Sequence, residues 1–431
     1  MKLAIIGGGG VRVPLLVNGL LARGLPFDDI ALFDIDEIRL ATMAALARRR
    51  AGNAVVSTHS DVATALAGAD FVVISIRVGG LAAREHDESA SLAHGLVGQE
   101  TVGPAGFAMA VRNIPAMVGY ARAIATHASQ AWVINFTNPV GIITQAMRRA
   151  AALNVVGICD TPTELFAEAA HALHVDPTEC TFDYVGLNHL GWLREVHHRG
   201  KPMLSTVWDD EDVLSRIYVR QLFPAPYLAE LRLLPTEYVY FYEFADRAVA
   251  NIRAAGSTRG THVAALTAQL FSELAAGSRD HVDVYEEYLA ERSASYMQAE
   301  TGQLAPTPPS PWAALTGYDR IAYDVIAGIV NDTNTVVPLN VANAGNIPEL
   351  EHDDVIEPPC RVGAGGPIPL RVGHLPGAIR DLVVRVKAYE RATIDAAFAG
   401  SHESLVNALA LNPLVASRAV ATMVIDHLTL S

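Results

Sequence analysis

The chain begins with a short apolar run, Leu3-Ala4-Ile5-Ile6, followed at once by four glycines, Gly7, Gly8, Gly9 and Gly10, and then by a helical pattern. No other feature constrains the fold as much. Glycines let a backbone approach a pyrophosphate, and the helix N-terminus beyond them offers free N–H groups and a field that favours anions. Strand, glycine turn and helix in that order open a dinucleotide-binding βαβ unit. The next apolar run ends Ala31-Leu32-Phe33-Asp34, which places a carboxylate for ribose hydroxyls and favours NAD over its 2′-phosphorylated form. The third glycine of the usual fingerprint is missing, because Val11-Arg12 follows the run. A tight βα connection with a helix cap is the plainer alternative.

The rest of the first half repeats this rhythm. Short β-type runs at Leu3–Ile6, Ile30–Phe33, Ala54–Thr58, Phe71–Ile76, Ala131–Phe136 and Asn154–Ile158 alternate with helical patterns such as Pro14–Arg23 and Ile38–Arg50. Alternation of this kind predicts a doubly wound parallel sheet with helices on both faces, a Rossmann-like α/β domain of the lactate/malate dehydrogenase kind. After about residue 190 the pattern changes to the aromatic block Tyr238-Val239-Tyr240-Phe241-Tyr242 and a long helix from about Thr261 to Ala276. The division expected is a nucleotide domain over 1–192 and a C-terminal mixed α/β domain, for substrate and oligomerisation, over 193–431. Leu304–Ala313, with four prolines, is expected as loop, and Glu357–Pro369 as a second Pro/Gly-rich passage.

Charge and cysteine content narrow the partners. Thirty-two basic residues against forty-six acidic ones give a formal charge of −14, which repels nucleic acid and anionic membrane. A phosphorylated ligand would therefore need a local basic pocket. Three cysteines, Cys159, Cys180 and Cys360, make no disulfide framework and imply a reducing compartment. The first residues are too short and too quickly broken for a signal peptide, and the apolar Trp132–Met147 stretch carries Asn135, Asn138 and Pro139, so a soluble cytoplasmic protein is expected.

Six separated blocks occur in order: Ile6-Gly7-Gly8-Gly9, Arg77-Val78-Gly79-Gly80-Leu81 with Arg84, Gly98-Gln99-Glu100-Thr101, Asn135-Phe136-Thr137-Asn138-Pro139, Gly157-Ile158-Cys159-Asp160-Thr161-Pro162 and Gly186-Leu187-Asn188-His189. Together they resemble glycoside hydrolase family 4, which dispenses with the usual carboxylate pair of glycosidases. The resemblance implies NAD and a divalent metal, usually Mn²⁺, as cofactors, and a phosphorylated glucoside or disaccharide as substrate. It further implies a homodimer or homotetramer. In the chemistry it implies, NAD⁺ oxidises C3 of the sugar, a base removes the acidified C2 proton, the aglycone leaves by elimination, water adds and the hydride returns.

The resemblance also distributes roles. Gly7 to Gly10, Asp34 and Asn135 fall to the cofactor, and Cys159 and His189 to the metal. From spacing alone Cys159 reads as a small core residue and His189 as a satisfied polar one. The base is a tyrosine, matched by Tyr238, with Tyr242 second; the alternative is an aromatic strand packed in the core. Arg84 and Arg259 match phosphate-binding arginines, although either could be an ordinary surface residue. Asn138 matches a residue bonding the sugar hydroxyls, and a turn-forming Asn-Pro would look the same.

One position separates two branches. Arg77 to Arg84 and the passage from Gly98 to Pro115 resemble the 6-phospho-β-glucosidase branch, whereas Asp160 matches the α branch, where it would protonate the leaving oxygen. A plain NAD-dependent 2-hydroxy acid dehydrogenase and a non-catalytic sugar-phosphate sensor are the readings from other classes.

Overall fold

The computed structural model describes residues 1–303, 317–428 and 430; the proline-rich loop expected at Leu304–Ala313 lies outside the described residues. Six parallel strands, β1 (Lys2–Ile6), β2 (Asp29–Phe33), β3 (Val55–His59), β4 (Phe71–Ile74), β5 (Trp132–Asn135) and β6 (Asn154–Gly157), form one sheet in the order β3-β2-β1-β4-β5-β6. Each lies within two residues of its sequence-based expectation. Helices α1 (Val13–Ala22), α2 (Glu37–Arg48), α3 (Val62–Leu66), α4 (Gly80–Ala93), α5 (Gly103–His127), α6 (Val140–Ala150) and α7 (Thr161–Ala172) complete this half. The strand period of two sorts the core. Leu3 and Ile5 face a cluster with α1 and α2, while Ala4 and Ile6 face a larger one with α5 and α6.

The chain order reverses between β1 and β4, and ligands of open α/β sheets bind at such a switch point, beyond the strand C-termini. The glycine turn sits there. A Cβ on Gly7, whose φ is +92°, would lie 2.0 Å from the carbonyl oxygen of Ser75.

The second half begins with a long antiparallel hairpin, β7 (Cys180–Leu187) and β8 (Leu190–His198), whose turn is only Asn188-His189. The divide expected at 192/193 runs through β8. The aromatic block is not a strand: Glu237–Val239 is a 3₁₀ turn and Tyr240–Glu243 a helical one. Pairing with β8 runs through Leu234–Pro235 to the Thr236 N–H on the Gly191 carbonyl, after which the Val239 N–H closes a turn onto Thr236. Glu357–Pro369, the second Pro/Gly-rich passage, contains the hairpin Pro359–Gly363 and Gly366–Pro369. Its prolines Pro367 and Pro369 are tolerated because that strand is the sheet edge, where a missing N–H donor costs no ladder bond.

Both halves share one core, which runs from Ala4 to Leu428. Asn340 and Gly157 exchange main-chain hydrogen bonds of 3.0 and 2.8 Å, so the late chain pairs beside β6. Among the described residues no helix is long and apolar enough to cross a membrane.

Candidate active site

At the glycine turn the N–H groups of Gly7 and Gly8 are tied to the Phe33 carbonyl, which draws β1 and β2 together. Asp34 accepts from the Gly9 N–H at 2.9 Å and, through its other oxygen, from the Asp36 N–H at 3.0 Å. Its carboxylate is thereby held at the mouth of the turn while staying partly accessible. A turn with no room for a Cβ and a fixed carboxylate at the end of β2 fit a dinucleotide. Asn135 is completely buried: its amide NH₂ reaches the Thr137 carbonyl and Thr144 hydroxyl, and its oxygen takes the Thr137 N–H. The side chain shapes the Thr137-Asn138-Pro139 turn and is spent on it. That turn has a cis Asn138–Pro139 bond, and the Asn138 carbonyl accepts from Asn113 at 2.9 Å.

Beyond β6 lies Cys159, 1% exposed, with its thiol toward the Thr161 hydroxyl at 3.4 Å. Burial pushes that thiol well up, as do the carboxylates of Glu357 and Asp160. The two-residue turn of the β7–β8 hairpin forces His189 to φ +60°, an uncommon conformation for a non-glycine residue. His189 is 5% exposed, and burial lowers its imidazole to about 3, so the ring is neutral. Its Nδ1 is 2.9 Å from the Thr101 hydroxyl, while Nε2 is buried without a partner. Asn138 Oδ1 is a second buried atom in that condition. A thiol, a neutral imidazole nitrogen with a free lone pair and an amide oxygen suit a divalent transition metal with positions left open.

Tyr238 lies flat on His189, with ring centroids 3.7 Å apart and planes within 1°. Burial raises its phenol well above the ordinary range, and Glu237 and Glu100 add to the effect. The Tyr238 oxygen is 2.9 Å from the Tyr296 hydroxyl, which is 2.6 Å from a Glu237 oxygen. Burial pushes that carboxyl up to about 7. The second-choice tyrosine has other neighbours: burial raises the Tyr242 phenol, and Tyr389 and Glu390 add to the effect. Asp160 precedes α7, and burial raises its carboxyl against the pull of Arg12.

Arg84 and Arg259 lie in one cluster with different partners. Arg84, 5% exposed, bonds Glu88 and Glu100 at 2.7 Å each. Arg77 also reaches Glu100, at 2.6 Å. Arg259 instead donates to the Ser295 carbonyl and hydroxyl and the Arg292 carbonyl, at 3.0, 2.7 and 2.6 Å. It clamps the end of the helix His281–Ala294, and burial lowers its guanidinium to about 10, with Arg292 and Arg84 adding to the effect. Burial lowers the Arg292 guanidinium, and so do Arg12 and Arg84. Sequence reasoning missed Arg292, which looked like any arginine near a helix C-terminus. Crowded guanidinium groups around one carboxylate make a pocket suited to a dianion.

The chain matches the model of the family 4 glycosyl hydrolases over residues 2–175 and that of their C-terminal domain over 184–415. It is 31% identical to a probable 6-phospho-β-glucosidase of Bacillus subtilis (strain 168), over 99% of this chain and 95% of that one. The structure of the 6-phospho-β-glucosidase from Thermotoga maritima with NAD and glucose-6-phosphate superposes with a TM-score of 0.85. That pair is 27% identical and covers 99% and 97% of the two chains. A 6-phospho-α-glucosidase from gut microorganisms, in complex with NAD and Mn²⁺, superposes at 0.79 with 25% identity, over 99% and 96%.

Proposed function

The chain belongs to glycosyl hydrolase family 4, and from that premise we propose that it hydrolyses 6-phospho-β-glucosides with NAD⁺ and a divalent metal, Mn²⁺ first among them. The observation that carries this reading is the stack of Tyr238 on His189, which sets a proton acceptor beside a buried imidazole whose Nε2 is free for a metal. Cys159 and His189 would hold the metal, with Asn138 turned toward the sugar hydroxyls. The glycine turn and Asp34 would hold the dinucleotide, and Asn135 acts by shaping the turn that carries Asn138. When bound, these groups supply a hydride acceptor for C3 and positive charge at the sugar oxygens.

The protein's own part is orientation and proton handling. Arg84, with Arg292 and Arg259 beside it, would grip the 6-phosphate, and Arg259 also fixes the segment that carries Arg292. Tyr238, whose oxygen accepts from the Tyr296 hydroxyl that also reaches Glu237, takes the C2 proton of the sugar once it is ionised. A phenol beside acids ionises only when cationic charge arrives, which makes substrate deprotonation depend on a loaded site.

Asp160 favours a second reading, the α-glucoside. Its carboxyl, raised by burial at the start of α7, is fit to hold a proton for a departing oxygen. Nitrophenyl α- and β-glucoside 6-phosphates given to the reduced enzyme with NAD⁺ and Mn²⁺ decide between them. Release from the β substrate that requires both additions, without accumulating NADH, is the expected result. Release from the α substrate alone would make Asp160 the acid. No release from either, or steady NADH growth with a hydroxy acid, would overturn the glycosidase reading.

A further inference from the structure

Gln99-Glu100-Thr101 forms a tight turn ahead of α5, closed by a β-bridge between Gln99 and Val102. The Gln99 side-chain oxygen receives the Thr101 N–H at 2.6 Å, the Val102 N–H at 3.0 Å and the Thr101 hydroxyl at 2.8 Å. Two main-chain N–H groups converge on this atom, which identifies it as the amide oxygen, because an NH₂ group could not accept them. The Thr101 hydroxyl proton is therefore given to Gln99. The lone pairs of the same oxygen face His189 Nδ1, 2.9 Å away.

With its one proton already committed, Thr101 can only accept from the imidazole. The ring proton must then sit on Nδ1, and a neutral imidazole has no second one. Nε2, buried and without a protein partner, is left with its lone pair exposed to the site. The stacked Tyr238 ring fixes the plane of the imidazole but leaves its tautomer undetermined.

We propose that Gln99 and Thr101 are positioning residues that lock His189 as the Nδ1–H tautomer and so set the affinity of the Cys159–His189 pair for its metal. The proposal rests on reading that pair as the metal ligands. Outer hydrogen bonds of this kind orient a ligand imidazole, and their loss typically weakens metal affinity 10- to 100-fold.

Two measurements test it without turnover. In chelator-treated enzyme, ¹⁵N-resolved spectra of the histidine rings should show His189 protonated on Nδ1; an Nε2–H signal would overturn the proposal. In Mn²⁺ titrations followed by the electron paramagnetic resonance of free Mn²⁺, Thr101→Val should raise Kd about 10- to 100-fold. Thr101→Ser, which keeps the hydroxyl, should stay within about threefold of the parent, so that loss of the bond is separated from loss of the fold. An unchanged Kd in Thr101→Val, with Cys159→Ser and His189→Asn both weakened, would sink the positioning role and leave the ligand pair standing. Unchanged binding in Cys159→Ser and His189→Asn would overturn the ligand pair itself, and the proposal with it.

Discussion

Tyr238 and Glu300 show how two buried acids can serve opposite ends. Replacing Tyr238 by Phe preserves the stack on His189 but removes the proton acceptor. The expected result is a fall in kcat of about 10²–10⁴-fold, the usual share of a general base, with KM little changed. Deuterium from heavy water should also no longer enter C2 of the product, and continued incorporation would exclude Tyr238. Glu300 is 3% exposed, one of its oxygens lacks a partner, and burial raises its carboxyl from 4.5 to about 7. Because the folded state holds this proton more tightly than the unfolded chain, the stabilisation is complete below about pH 4.5 and is lost as pH rises through 7. Thermal melts should therefore show Tm falling more steeply between pH 5 and 8 in the parent than in Glu300→Gln; equal slopes would refute this. At this scale the sequence was uneven in what it disclosed. The motif put Tyr238 ahead of Tyr242 and the structure stacks Tyr238 on His189, but nothing in the sequence drew attention to Arg292. Arg292 and Arg259 both feel Arg84, and it is the main-chain carbonyls that Arg259 also meets that set it apart, which only tertiary packing decides.

Among the elements, the six parallel strands were legible because strands buried on both faces are written as short apolar runs between helical patterns. The two-residue turn carrying His189 was not, since its constraint lies in the register of β7 against β8. Nor was the hairpin at Pro359–Pro369, where only a Pro/Gly-rich passage could be read and the strand that holds Pro367 is an edge. The glycine turn gives the clearest test at this scale. Gly7→Ala would force a methyl to within 2.0 Å of the Ser75 carbonyl oxygen at a φ of +92°. It should destabilise the protein by about 2 kcal/mol or more and abolish NAD⁺ binding by fluorescence titration. A variant with parental Tm and affinity would show that the turn has slack that its geometry denies.

Over the whole molecule, the halves that sequence divides at about residue 192 are not independent bodies. One core contains Ala4 and Ile425 alike, and the Asn340–Gly157 bonds join the late chain to the first sheet. Residues 1–192 expressed alone should lack a cooperative thermal transition, whereas the full chain should melt in one calorimetric step. A sharp, independent melt of the fragment would contradict this. The same bridge orders events during synthesis. Gly157 and Cys159 leave the ribosome well before Asn340 and Glu357, yet Asn340 donates to the Glu357 carboxylate at 2.7 Å, and that carboxylate acts on the Cys159 thiol. A nascent chain emerging N-terminus first can build the parallel sheet early, but the surroundings of Cys159 are completed only after Glu357 has been translated. A metal held by Cys159, as proposed, would therefore be loaded late, and a truncated translation product would carry a Cys159 without the Glu357 carboxylate beside it.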